Sequence, residues 1–129
     1  MNHWAAQELE LLRHCWPSLD HHAGTGWCRI PDFAIPAGWN KQAAEIAFQI
    51  PDNLPGQEPY AFLVRDGLLL ANNSTPSNYS PNVTTPPWGG NWGQFSWNLD
   101  PWAPGPKPGT GSSMVDFVRS ITGRLRELS

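Results

Sequence analysis

The sequence predicts an α+β fold, with two terminal helices set apart from an antiparallel strand meander. Three observations predict it. Apolar residues recur at spacings of three and four near both ends of the chain. Between about residues 26 and 70 they alternate, or run in short blocks bounded by Pro and Gly. The remaining stretch, Asn72 to Gly111, is dense in Trp, Pro and Gly and shows neither period.

The first helix is expected from about Asn2 to Leu19. Trp4, Leu9, Leu12, Cys15, Trp16 and Leu19 fall mostly on one helical face. Glu8, Glu10 and Arg13 occupy the others. Pro17 sits near the end, and Asp20-His21-His22-Ala23-Gly24 stops the helix.

A meander of three or four strands follows. Trp27-Cys28-Arg29-Ile30 is the first strand, and Ile35-Pro36-Ala37-Gly38 a turn. From Ala44 to Ile50 the pattern is that of a half-buried strand: Ile46, Phe48 and Ile50 alternate with Glu45, Ala47 and Gln49. Pro51 to Gly56 is a loop. Tyr60-Ala61-Phe62-Leu63-Val64 is apolar on both faces, which predicts a central strand. Asp66-Gly67 is a hairpin signal, with Leu68-Leu69-Leu70 as a short fourth strand.

Asn72 to Gly111 carries eight Pro, six Gly and four Trp and reads as a long structured loop. A loop of that length within a compact domain is either disordered or functional. Trp88, Trp92, Trp97 and Trp102 argue against disorder, because exposing four indoles is costly. The everyday expectation is that they form the loop's own mini-core. The functional one is an apolar docking surface for a partner. The chain closes with a helix from about Ser113 to Leu128, opened by Ser113-x-x-Asp116 in the manner of a capping box. Met114, Phe117, Val118, Ile121, Leu125 and Leu128 make its apolar stripe, and Arg119, Arg124 and Arg126 an exposed face.

At 129 residues the chain is one domain, spanning 1–129. A net charge of −3 removes the general case for nucleic-acid binding. No apolar run approaches the ~18 residues of a membrane span. The start lacks the basic and apolar regions of a signal peptide, so a cytoplasmic address is expected. There Cys15 and Cys28 are free thiols rather than a disulfide. No phosphate loop, zinc signature or dinucleotide fingerprint occurs, so no metal or cofactor is implied. The pair His21-His22 reads as a solvated turn.

The order of elements is also that of the ubiquitin-conjugating (UBC) fold, and several words match. Phe48 to Phe62, with Pro51, Leu54-Pro55 and Pro59, resembles the superfamily's strand–loop–strand signature. Trp102-Ala103-Pro104 resembles its Trp-Ser-Pro. Ile30 to Asn40, the aromatic-Ser segment Trp92 to Trp97, and Trp102 to Gly105 resemble the bacterial UBC-like family designated E, over roughly residues 5–128. The resemblance implies work beside an activating enzyme and a ubiquitin-like protein, with ATP consumed by the activating enzyme.

In conventional UBC proteins a Cys lies eight residues before the Trp of Trp-Ser-Pro and carries the modifier as a thioester, thiolate being a strong nucleophile and a good leaving group. Counting back from Trp102 reaches Gln94, and no Cys follows Cys28. The family's His-Pro-Asn motif is absent too. Three alternatives follow. The chain is an inactive adaptor; or a hydroxyl substitutes, giving an oxyester on Ser96; or Cys15 or Cys28 serves through a different geometry. A Ser needs a general base, and Asp100 is nearby in sequence, while His3, His14, His21 or His22 could reach it only through the fold. The candidate catalytic residues are Ser96, Asn98 and Asp100. Against them, Ser96 could simply bond a loop backbone, and Asp100 before Pro101 could start a turn. A reading from another class is a Trp-rich ligand- or carbohydrate-binding module.

Overall fold

A computed structural model describes residues 1–129. Helix α1 (His3–Cys15) precedes strands β1 (Asp20–His21), β2 (Trp27–Ala34), β3 (Ala43–Gln49), β4 (Tyr60–Arg65), β5 (Tyr79–Val83) and β6 (Trp92–Asn98), and helix α2 (Met114–Arg126) ends the fold. The class is α+β. The strands form one antiparallel sheet in the order β1-β2-β3-β4-β6-β5.

The sheet has six strands rather than three or four. Two of the extra ones lie in the stretch read as loop. Pro81 and Gly93 hide them from pattern reading, and each has a physical reason to be there. Pro81 is tolerated because β5 is the sheet edge. Gly93 leaves room for the Tyr79 ring, which fills the place a Cβ would take. The expected fourth strand, Leu68 to Leu70, is instead a single bridge from Leu70 to Trp39. Asp66-Gly67 does turn the chain, with Gly67 at φ +100°. The slot beside β4 is already filled by β6, so the returning backbone exchanges hydrogen bonds with Asn40.

Helix α1 ends at Cys15, not Leu19. Trp16 leaves helical geometry at φ −130°, ψ 85°, as a residue before proline tends to. Asn2 caps α1 by accepting the Ala5 N–H at 2.7 Å. Ser113 caps α2 by accepting the Asp116 N–H at 3.2 Å, and its hydroxyl donates to the Asp116 carboxylate. That is half of a capping box.

Both helices cover one face of the sheet. Leu9, Leu12, Ile46, Phe62, Phe95, Phe117 and Ile121 belong to the resulting core. The alternation read in β3 holds: Ile46 and Phe48 enter this core, and Ala47 faces the other way. On the opposite face Ala47, Leu63 and Trp92 form a second, smaller cluster, with Trp27, Val83 and Trp88 packed against it.

Three side chains lie elsewhere than their pattern suggests. Glu8, assigned to an outer face of the first helix, is 1% exposed. Its carboxylate accepts the Met114 N–H and the Trp4 indole N–H. Arg124, assigned to an exposed face, is 4% exposed. Its guanidinium donates to the carbonyls of Ser77, Glu127 and Ser129 and lies 5.1 Å from the centre of the Phe95 ring. Both are buried because they satisfy backbone groups and neighbouring rings, which periodicity does not count. Cys15, assigned to the apolar face, is exposed where α1 stops.

Candidate functional site

Strand β6 carries Ser96 in a bulge. Tyr60 pairs with Asn98 and Phe62 with Phe95, so Ser96 and Trp97 together oppose Ala61. Ala61 takes φ +67°, a left-handed conformation that costs a residue with a Cβ about 1–2 kcal/mol. Phe95 and Trp97 both pack into the helix-side core, and the Trp97 indole donates to the Ser120 hydroxyl at 2.9 Å. Ser96, between them, turns to the opposite face and is exposed. Its N–H donates to the Asn78 carbonyl at 2.9 Å, whereas its hydroxyl has no partner in the chain.

Asn98 ends β6 opposite the exposed Tyr60, and Asp100 is exposed two residues further on. No hydrogen bond joins Ser96, Asn98 and Asp100. The strands flanking β6 are β4 and β5, and neither carries a histidine. His21 belongs to β1, at the far edge of the sheet, and His22 follows it; both ring systems contact Thr25. His3 and His14 lie on α1. Ser96 therefore has no general base against it.

Gln94, where the resemblance would place a thioester Cys, sits in mid-β6, paired with Leu63 on one side and Ser80 on the other. Of the two thiols, Cys28 is fully buried, and burial pushes it up to about 12. A thiol so placed is inert. Cys15 is accessible, with the Arg119 guanidinium 3.8 Å from its sulfur.

The four tryptophans do not form one mini-core. Trp88 and Trp92 lie on the Ser96 face, and Trp97 and Trp102 pack against the helix-side core. Trp92 is fully buried and donates to the Gly89 carbonyl at 3.0 Å. Trp102 donates to the Pro55 carbonyl at 2.9 Å, fastening the loop before β4. Trp88 is half-buried, with Arg29 4.9 Å from its ring centre and the His22 ring edge-on at 6.0 Å.

A charged ladder that no sequence motif announced crosses this face. Asp20, Arg29, Glu45 and Arg65 join β1, β2, β3 and β4 through contacts of 3.0, 3.2 and 2.9 Å. Arg65 also lies 3.9 Å from the centre of the Trp92 ring. The signal was present: Glu45 alternates with Ile46, and Arg29 and Arg65 stand at outward positions of their strands. Nowhere do three His, Cys, Asp or Glu side chains converge as a metal site would need. No helix is long and apolar enough to cross a membrane. No family model, curated protein or solved structure matches the chain.

Proposed function

We propose that this chain is a UBC-like component of a bacterial ubiquitin-like conjugation pathway, and that it serves there as an adaptor binding the activating enzyme and the ubiquitin-like protein. The ordered words from Ile30 to Asn40, Phe48 to Phe62 and Trp102 to Gly105 support the pathway. The α+β order of elements is compatible with it. One observation carries the adaptor role: Gln94, which the resemblance aligns with the thioester Cys, lies inside a strand paired on both sides. Neither cysteine lies on β6 or its neighbours β4 and β5.

A second reading, acyl transfer through an oxyester, is favoured by Ser96, exposed in the β6 bulge with an unbonded hydroxyl. In it the Ser96 oxygen attacks the modifier's C-terminal carbonyl, displaces the activating enzyme's thiolate and gives up its proton to that thiolate. Asp100 would have to approach Ser96 to assist. The Trp-rich ligand-binding reading has less support, because Trp92, Trp97 and Trp102 all spend their indole N–H groups on the protein itself.

The test is gel filtration and intact mass after incubation with the neighbouring activating enzyme, the ubiquitin-like protein and ATP. The adaptor reading expects a stable complex with no covalent adduct. An adduct that resists thiol reductant, yields to hydroxylamine and is lost in Ser96→Ala selects the oxyester. Neither adduct nor complex overturns both.

A further inference from the structure

A groove of about 390 Å³ lies between the end of α1, strand β2 and helix α2. Half-buried Trp16 supplies its apolar wall, the core residues Ile30 and Phe33 its floor, and Arg119 and Asp32 its charges. These two make no ion pair; the ion pairs of the chain involve Arg13, Arg29 and Arg65. Arg119 is exposed, and its one side-chain hydrogen bond goes to the Cys15 sulfur. Asp32 accepts the Ser18 hydroxyl on one oxygen at 2.8 Å, leaving the other free. The groove thus holds an unneutralised cation and a half-used carboxylate apart, over an apolar bed. Its volume falls within the ~300–1,000 Å³ of small-ligand sites.

We infer that this groove binds a short peptide with free termini and apolar side chains. The peptide's carboxylate meets Arg119 and its ammonium meets Asp32. Arg119 and Asp32 make no ion pair with each other, so a ligand with one charge at each end suits them. Its side chains cover Trp16. The inference is independent of the conjugation reading.

Leucyl-phenylalanine is the probe. Cys15 reports occupancy through its rate of reaction with a chromogenic disulfide, Cys28 being buried. Intrinsic tryptophan fluorescence reports it through Trp16. The expected result is saturable protection of Cys15, with affinity falling about tenfold or more when either end of the dipeptide is blocked, since each block removes a charge-assisted hydrogen bond. In fluorescence titrations, Arg119→Gln abolishes the effect of amidating the carboxyl end, and Asp32→Asn that of acetylating the amine. Both residues are exposed, so the variants should fold. No saturation up to about 10 mM, or binding indifferent to both blocked ends and both variants, overturns the inference.

Discussion

The carboxylate of Glu8 in α1 accepts the backbone N–H of Met114, the first residue of α2, at 2.6 Å. The two residues lie at opposite ends of the chain. The first N–H groups of a helix have no partner within it, so Glu8 satisfies from a distance what a local side chain usually does. It also places negative charge at the positive end of the α2 dipole. Glu8→Ala would strand the buried Met114 N–H and leave the half-buried Trp4 indole N–H without its partner. At about 1–3 kcal/mol for the buried donor and about 1 kcal/mol for the half-buried one, the variant should lose roughly 2–4 kcal/mol. Urea unfolding measures it, and a loss below about 1 kcal/mol would mean that the contact contributes little.

The same carboxylate makes stability depend on pH. Burial raises its pKa above the ordinary 4.5, and Asp116 adds to the rise, against the lowering effect of the donors from Met114 and Trp4. The folded chain therefore holds this proton more tightly than the unfolded chain. Stability from Glu8 is greatest below the unfolded value and falls as pH rises through the folded one. In Glu8→Gln that fall disappears. Melting curves from pH 4 upward should show the variant gaining on the wild type as pH increases. A constant difference across that range would contradict the assignment.

Arg124 fastens the C-terminal end to the β5 side of the sheet through the Ser77 carbonyl. Arg124→Ala leaves three carbonyls without this donor and uncovers Phe95, so a loss of about 2–4 kcal/mol is expected. Arg124→Lys should recover less than half of it, because one ammonium cannot reproduce a planar fork aimed at three acceptors. Full recovery in the lysine variant would show that charge alone suffices.

Trp92 and Trp88 share a face but not a role. Trp92→Ala empties the second core and should cost about 3–5 kcal/mol. Trp88 covers that core from the loop between β5 and β6 and is half-buried, so Trp88→Ala should cost about 1 kcal/mol. Equal losses in thermal unfolding would mean that this loop is as integral to the fold as β6.

Legibility in the sequence followed locality. Both helices and β2 to β4 were visible because their periods are properties of adjacent residues. Ser113 was visible as a cap because it bonds three residues away. Strands β5 and β6 were not, because Pro81 and Gly93 break the alternation and are excused only by an edge position and the Tyr79 ring. Leu68 to Leu70 looked like a strand until β6 took the place beside β4. Glu8 and Arg124 looked exposed because periodicity ignores hydrogen-bond partners far along the chain. At the candidate site, Ser96, Asn98 and Asp100 could be named from spacing. The bulge opposite Ala61 depends on the β4–β6 register, which no local pattern encodes.

An adaptor of this kind carries no thioester. Intact mass of the wild-type protein, taken with and without thiol reductant after incubation with activating enzyme, ubiquitin-like protein and ATP, tests it most directly. The expected spectra are unchanged by reductant. A modifier-sized increase that reductant removes, mapped to Cys15 or Cys28, would contradict it.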